Sequence, residues 1–311
     1  MVTRGWWDVT EIMVLRETTF GATLTAGAWL PVALAKRFRY EYRPVRKPIV
    51  GLNRQNPAGW TTVKELHDFT IETEALKAVA SPVYDPYTMV QYIIEKLAAA
   101  DGSPGFVLDS FSLGAKVDLA TDEFFWLKGA TLDQVDIIGR AVDDLVQYRL
   151  HGIAQSGDYG TTDYVSGTAT RQAQPTNVHV PFGECDVMVG AGPTSIIDDC
   201  SSFRLSLGRT LTPRGVDATT STLYREFVPT KRSWTVEIER DFDDKTDFEN
   251  FIDDTEVKCT IKIPSAVGGK IYTLTGGYWM PGSGVPVEEL DLMSVKLIGE
   301  FAELAVTTHG A

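Results

Sequence analysis

Two stretches of the chain alternate, position by position, between apolar and polar side chains. They are residues 67–75 (HDFTIETEA) and residues 234–242 (WTVEIERDF). Alternation with a period of two is typical of an antiparallel strand that buries one face of a sheet and leaves the other in water. The polar faces carry four carboxylates, those of Glu72, Glu74, Glu237 and Glu239.

A short helical pattern follows each of these strands. Over residues 85–97, Asp85 can cap a helix, Pro86 suits its first turn, and apolar residues recur every three or four positions. Over residues 246–252, Thr246 can cap a second helix with a similar apolar face. The sequence therefore predicts one short helix beside each strand.

Both patterns belong to a longer internal repeat. Residues 38–49 (FRYEYRPVRKPI) resemble residues 203–214 (FRLSLGRTLTPR), and each segment precedes one of the alternating strands. Residues 142–154 and 295–306 are long apolar segments that close the two copies. Because the order of these segments is the same twice, the sequence indicates a duplication.

A further match near the end of each copy suggests the spacing of the repeat. Residues 124–138 and 277–293 each carry an aromatic pair, a glycine turn and an Asp between two apolar residues. Asp136 and Asp291 stand at the centres of these triplets and are 155 residues apart (291 − 136). We expect them to occupy equivalent positions in the two copies.

Together the matches predict a mainly β fold with two tandem domains of the β-sandwich or barrel type, each with a short flanking helix. The predicted layout is an N-terminal arm, a first domain, a linker or arm rich in Gly, Ser and Thr, and a second domain. Their bounds are 1–19, 20–155, 156–178 and 179–311.

The two predicted arms hold aromatic side chains in surroundings that are poor in other large apolar residues. Isolated apolar surface of this kind often marks a contact with another molecule. The candidates for contacts between subunits are Trp6, Trp7, Tyr159 and Tyr164. Removal of residues 1–15 is accordingly expected to leave folding intact and to abolish polymerisation.

The charge balance argues against a protein that grips nucleic acid. The chain has 42 acidic and 29 basic side chains and a net charge of −13, whereas affinity for nucleic acid depends on clustered Lys and Arg. No apolar run approaches the roughly 20 residues that a membrane helix needs. The first residues also lack the apolar region of a signal peptide, so synthesis in a cytoplasm is expected.

Nothing local in the sequence indicates an active site. Cys185, Cys200 and Cys259 have neither the spacing of a zinc site nor that of a disulfide framework. Residues 189–195 are rich in glycine but lack the Gly-Lys-Ser/Thr ending of a phosphate loop, and residues 239–254 are acidic but lack the pattern of a calcium loop. We expect no enzymatic activity, no cofactor and no metal.

The chain resembles the tail tube proteins of tailed bacterial and archaeal viruses, in the form that carries two domains. The resemblance rests on residues 14–24 (VLRETTFGATL), on residues 233–242 (SWTVEIERDF) with the helical pattern after them, and on residues 287–304 (VEELDLMSVKLIGEFAEL). Taken together, it spans residues 14–306. The family brings no catalytic residues to carry over.

The resemblance implies a structural virion protein whose sheets join around a ring, with rings stacked into a conduit for DNA ejection. It implies contacts with further copies of the chain and with other tail proteins, namely the tape measure, terminator and baseplate or distal tail proteins. The protein would lie in the virion tail after assembly in the host cytoplasm, with no membrane. DNA would pass without specific binding, since Glu72, Glu74, Glu237 and Glu239 are candidates to face the lumen and would repel phosphate.

A ring of three chains is expected, because single-domain proteins of this family commonly form six-fold rings and each chain here supplies two domains. The alternative function is a two-domain β-sandwich module of a virion, in the baseplate, as a decoration protein or as a receptor-binding protein. The duplication and the acidic charge fit that alternative as well. The repeated order of strand, helix and closing strand, with few candidate recognition loops, favours the tube.

Overall fold

The computed structural model describes fourteen segments of the chain. They are residues 7–8, 10–17, 20–21, 26–32, 35–49, 59–77, 110–117, 121–171, 178–190, 200–215, 223–241, 253–264, 269–280 and 294–308. Most of these residues lie in β-strands, and within them the one helical element is a 3-10 turn at Phe182–Glu184. The predicted mainly β fold is confirmed, while the helices predicted over 85–97 and 246–252 lie outside the described residues.

The strands are long and numerous. Those of the first half are β1 (Trp7–Asp8), β2 (Glu11–Arg16), β3 (Ala28–Pro31), β4 (Ala35–Ile49), β5 (Gly59–Glu74), β6 (Leu76–Lys77), β7 (Phe111–Val117), β8 (Glu123–Arg140), β9 (Leu145–Ala154), β10 (Ser156–Gly160) and β11 (Thr170–Arg171). Those of the second half are β12 (Val178–His179), β13 (Asp186–Gly190), β14 (Cys200–Arg214), β15 (Glu226–Asp241), β16 (Val257–Ile263), β17 (Lys270–Trp279) and β18 (Ser294–Thr308).

Sixteen of these strands form one sheet, in which the same order of neighbours occurs twice. The first strand set runs β4-β5-β9-β8-β7-β2, and the second strand set runs β14-β15-β18-β17-β16-β13. The two sets are joined through β8, whose first half pairs with β7 and whose second half pairs with both β9 and β14. A small second sheet pairs β12 with β6.

The two sets also agree in register. In the first set Phe38 of β4 lies opposite Ile71 of β5. In the second set Phe203 of β14 lies opposite Ile238 of β15. These residues belong to the segments that resemble each other in sequence, so the sequence matches at 38–49 with 203–214 and at 67–75 with 234–242 are confirmed as equivalent strands.

A β-bulge at a glycine marks equivalent positions near the end of each set. The ladder between β7 and β8 shifts register beside Gly129, and the ladder between β16 and β17 shifts beside Gly276. Both glycines have a positive φ, of 61° and 64°, a conformation that glycine adopts without steric cost. Equivalent positions here are therefore 147 residues apart (276 − 129).

The aromatic pairs that the sequence match aligned are not equivalent, and Asp291, which the match paired with Asp136, lies outside the described residues. The sequence match aligned the aromatic pairs Phe125-Trp126 and Tyr278-Trp279. In the structure these pairs lie on different sides of the bulge, because Phe125 lies opposite Ala115 before it whereas Tyr278 lies opposite Glu300 after it. Similar side chains at different positions of the strand produced the false alignment.

One face of the sheet carries the core. Phe69 and Ile71 of β5 and Val236 and Ile238 of β15 are almost fully buried, and the burial of such side chains contributes roughly 1.5–3 kcal/mol each. The strands predicted by alternation at 67–75 and 234–242 are thus confirmed. A single cluster of buried side chains contains residues of both strand sets, so the apolar layer continues across the junction.

The predicted N-terminal arm contains a strand of the core. Ile12 and Val14 of β2 are 0% and 1% exposed, and β2 pairs with β3 and β7. Residues 11–15 are therefore part of the fold rather than of an arm, and we expect removal of residues 1–15 to impair folding. The described part of 156–178 also packs on the first half, since β10 pairs with β8 and β11 pairs with β3.

Candidate functional surfaces

The face of the sheet opposite the core is polar, and we call it the polar face. It is formed by alternate residues of β4, β5, β9, β8, β14, β15 and β18. Its charged side chains are largely paired across neighbouring strands. Glu72 of β5, for example, accepts two hydrogen bonds from Arg149 of β9, at 3.0 Å from Nε and 2.7 Å from Nη2, and Arg37 of β4 lies 3.8 Å away.

Glu74, the second candidate on β5, is buried rather than open to water. Its side chain is 4% exposed and lies in ion pairs with Lys36 and with His179, whose Nδ1 is 2.7 Å from the carboxylate. His179 is brought there by the short ladder between β12 and β6. The structure therefore covers Glu74 with a segment that lies more than a hundred residues away in the sequence.

Glu237 and Glu239 of β15 both lie on the polar face. Glu237 is 3.6 Å from Lys296 of β18, and both side chains are about two-fifths exposed. Glu239 is exposed and accepts a hydrogen bond of 2.8 Å from the hydroxyl of Ser202. Since Ile238 between them is fully buried, the alternation places both carboxylates on the same side of the sheet as Glu72.

An ion pair between a buried carboxylate and a partly exposed arginine, which the sequence did not indicate, joins the two strand sets. Asp136 of β8 is 2% exposed, and its carboxylate accepts hydrogen bonds from Arg204 of β14 at 2.8 Å and from Gln134 at 2.9 Å. Hydrogen bonds between ionised partners are among the strongest in proteins. The signal in the sequence was weak, since it consists of one Asp and one Arg that are 68 residues apart.

A second polar cluster stands where β5, β8 and β9 meet. The Nδ1 of His151 lies 2.5 Å from Asp133, and this hydrogen bond raises the pKa of the imidazole. Asp68 is 2.7 Å from Arg43, and burial raises the pKa of its carboxyl. The polar face therefore carries acids and bases in close alternation.

The aromatic candidates for contacts between subunits divide into three groups. Tyr159 is 71% exposed, and its ring stacks at 6.2 Å on Phe125. Tyr164 is 1% exposed, so the expectation that it is exposed is wrong: it packs against Trp29 and donates a hydrogen bond to Glu11. Trp7 pairs through its backbone with Phe38.

Trp6, the fourth aromatic candidate, lies outside the described residues, and the side chain of Trp7 does as well. Of these two residues, the structure therefore places only the backbone of Trp7, which pairs with the outer edge of β4. The aromatic candidates do not converge on one surface in the described part of the chain, since Tyr164 is internal.

The end of β2 is anchored by a buried carboxylate that the sequence did not single out. Glu17 is 6% exposed and accepts hydrogen bonds from the hydroxyls of Ser110 and Ser112 and from the backbone N–H groups of Gly21 and Gly129. The distances are 2.6–2.9 Å. The cluster ties β2, β7 and the glycine bulge of β8 together and is structural in character.

The described residues show no arrangement typical of a metal centre. No group of three or more His, Cys, Asp or Glu side chains converges among them. The three cysteines are free thiols, and burial raises the pKa of Cys185 to about 12, which disfavours the reactive thiolate. Among the described residues, no helix has both the length and the apolar character required to cross a membrane.

The chain matches the model of a known protein family. The model of a family described as phage tail tube protein matches residues 8–307, which is nearly the whole chain. No curated protein matches the chain. The match covers both strand sets, the polar face and the junction between them, and the chain therefore belongs to the phage tail tube protein family.

Proposed function

We propose that the chain is a structural subunit that polymerises into stacked rings and so forms the tail tube through which phage DNA is ejected. The family supports a virion structural role. The observation that carries the proposal is the single sheet that runs through both strand sets as β4-β5-β9-β8-β14-β15-β18-β17. A sheet of this length can close into a wide barrel when further copies of the chain continue it.

The polar face is the surface that would line the bore. Its apolar counterpart packs against buried side chains of β2 and β7, as in the ring contact of Phe69 with Phe111, which leaves the polar face for water. Its carboxylates are interleaved with paired arginines, as at Glu72 with Arg149 and at Asp136 with Arg204. Because adhesion of DNA requires cations that neutralise phosphate, a surface whose cations are already paired would let DNA pass without specific binding.

The two strand sets would act as two copies of one tube domain. Three chains would then supply six tube domains and twenty-four strands to one ring. The first domain would begin near β2 at residue 11, because β2 and β13 hold the same place in the two sets. Other tail proteins, at the ends of the tube and inside it, would be the remaining partners.

Electron microscopy of the purified protein tests the proposal. We expect rings or tubes in negative stain, with a barrel wall made of continuous strands in a cryo-microscopy reconstruction. The variant Asp136→Lys replaces the partner of Arg204 with a second cation. Because the two cations repel each other at the junction of the strand sets, this variant should form fewer and shorter tubes. Wild-type protein that stays monomeric at every concentration would instead favour a decoration or receptor-binding role.

A further inference from the structure

Two arginines stand directly opposite each other in the ladder between β14 and β15. They are Arg209 and Arg232. The neighbouring pair on the same face of the sheet is Leu207 with Trp234, and both of these side chains are buried. Because side chains two residues apart on a strand share a face, the arginine pair lies at the edge of the apolar core and not on the polar face.

Neither guanidinium group of this pair is fully satisfied in the described part of the chain. Arg209 is 8% exposed, and its Nε donates a hydrogen bond of 3.1 Å to the backbone carbonyl of Leu132. Its Nη1 is buried and has no hydrogen-bond partner among the described residues, and the same holds for Nη2 of the half-buried Arg232. A buried donor without an acceptor costs free energy, and the cost is larger when the donor is charged.

Repulsion between the two cations adds to this cost, since like charges directly opposite each other destabilise a strand pair. Burial and the charge of Arg232 lower the pKa of Arg209 to about 10, whereas Asp133 acts in the opposite direction. The carboxylate of Asp133 is already engaged, because it lies 2.5 Å from the Nδ1 of His151. With a pKa near 10, Arg209 stays protonated at neutral pH, so two positive charges meet at the edge of the core.

The first strand set has no arginine at the equivalent place. The register of the two sets makes Pro44 equivalent to Arg209 and Glu65 equivalent to Arg232, and Pro44 lies opposite Glu65. A register shift follows the next residue pair in both ladders, which supports this alignment. The fold itself therefore does not require two arginines here.

We propose that Arg209 and Arg232 form a binding site for an oxyanion, which is a phosphate, a sulfate or a carboxylate. Guanidinium groups present N–H donors in a planar fork that matches two oxygens of such an anion. An anion between the two groups would supply acceptors to the unpaired nitrogens and would neutralise the repulsion. The buried neighbours Leu207 and Trp234 would strengthen the attraction, because charges interact more strongly in a medium of low dielectric constant. The half-buried side chain of Arg232 gives access from the solvent.

Thermal unfolding of the dilute protein in phosphate tests this site. Compared with sodium chloride of the same ionic strength, about 10 mM phosphate should raise the midpoint of the wild-type protein by roughly 3–6 °C, as for a ligand at about ten times its dissociation constant. The variant Arg232→Gln removes one cation and should lose this response. In chloride alone, the same variant should unfold at a higher temperature than the wild type, because the repulsion on Arg209 is relieved.

Two further variants sharpen the comparison. Arg232→Glu introduces in the second set the residue type that the first set has at Glu65, and the new carboxylate should pair with Arg209 in place of the anion. This variant should have a higher midpoint than the wild type in chloride and no response to phosphate. Lys231→Gln is the matched control, since Lys231 is exposed and lies next to Arg232 on the opposite side of the strand. It should keep the full response of the wild type.

Assembled protein identifies the source of the anion. Tubes that retain about one radiolabelled phosphate per chain would indicate a free ion, whereas tubes that exclude the phosphate that dilute chains bind would indicate a carboxylate of another copy of the chain. A wild-type midpoint that phosphate does not raise, or an equal response in Arg232→Gln, would overturn the site. The measurements on dilute chains do not depend on the proposed tube function.

Discussion

At the scale of single residues, the first strand set holds a histidine that burial keeps neutral. His67 of β5 is 3% exposed, and burial lowers its pKa to about 4. Its Nδ1 lies 2.7 Å from the hydroxyl of Tyr40, whereas the carboxylate of Glu65 is 3.9 Å from Nε2 and too far for a hydrogen bond. The folded protein therefore resists protonation at this residue.

This resistance predicts a dependence of stability on pH. The folded pKa lies below the usual value of 6.5, so the unfolded chain binds more protons between pH 6.5 and pH 4 and the protein loses stability as the pH falls through that window. We expect His67→Gln to remove about 3 kcal/mol of this loss. Urea unfolding of both proteins at pH 7 and pH 4 measures it.

The variant His151→Gln is the matched control for that experiment, because its shift has the opposite sign. The hydrogen bond to Asp133 raises the pKa of His151, so its contribution is present below pH 6.5 and is lost as the pH rises through the folded pKa. A His67→Gln protein with the same pH dependence as the wild type would show that His67 is not held neutral.

The buried carboxylate of Glu17 gives a second prediction at this scale. Glu17→Gln turns one acceptor oxygen into an N–H donor that would face groups that already donate, including Gly21 and Gly129. We expect the free energy of unfolding to fall by about 3 kcal/mol, as for lost hydrogen bonds to a buried charged group. Chemical denaturation measures it, with Glu256→Gln, an exposed position, as the control.

At the scale of strands, the N-terminal segment divides into a removable part and an indispensable part. β1 pairs with only Arg37 and Phe38, whereas β2 buries Ile12 and Val14 and pairs along its whole length with β7. Removal of residues 1–8 should leave the fold intact. Removal of residues 1–17 should prevent folding, because an internal strand and the Glu17 anchor are lost.

Circular dichroism and thermal unfolding of the two truncated proteins check this division. For the protein that lacks residues 1–8, we expect a melting temperature within a few degrees of the wild type, because a loss of about 1 kcal/mol in the free energy of unfolding lowers the midpoint by roughly 2–4 °C. For the protein that lacks residues 1–17, we expect no cooperative transition. A cooperative transition in the protein that lacks residues 1–17 would contradict the core position of β2.

Local alternation of apolar and polar residues predicted the strands correctly. It did not predict the burial of side chains that are covered by segments distant in the sequence. The alternation at 67–75 and 234–242 identified β5 and β15 and placed Glu72 and Glu239 on the polar face. It did not identify Glu74 as buried, because the cover comes from His179. Tyr164 was missed for the same reason, since its partner Trp29 lies far away along the chain.

The spacing of the repeat could be predicted only where the sequence kept both copies alike. Phe38 with Phe203 marks strands whose register is the same in both sets. In β8 and β17 the copies are less alike, and the aromatic pairs suggested a spacing of 153 residues (278 − 125) where the ladders require 147. The glycine bulges mark the equivalent positions correctly, but they are recognised by their register shifts and positive φ angles, which the sequence does not show.

At the scale of the whole molecule, the polar face runs along one side of a single sheet through both strand sets. Ile137 of β8 lies opposite Leu205 of β14, and both are buried, so the alternation continues unbroken from one strand set to the next. An arrangement with one set in the barrel wall and the other outside it would have to break the seven pairs between β8 and β14. In the proposed tube, both sets would therefore belong to the same wall.

This geometry predicts three chains per ring. If six tube domains close the barrel and each chain supplies two that are already joined side by side, three chains complete the circle. Cryo-microscopy of the tube should then show three-fold symmetry, with six similar sets of strands around each ring. The wild-type ring, measured by native mass spectrometry, should have three times the mass of the 34.2 kDa chain. A ring of six chains, with one strand set outside the barrel, would contradict the continuous wall.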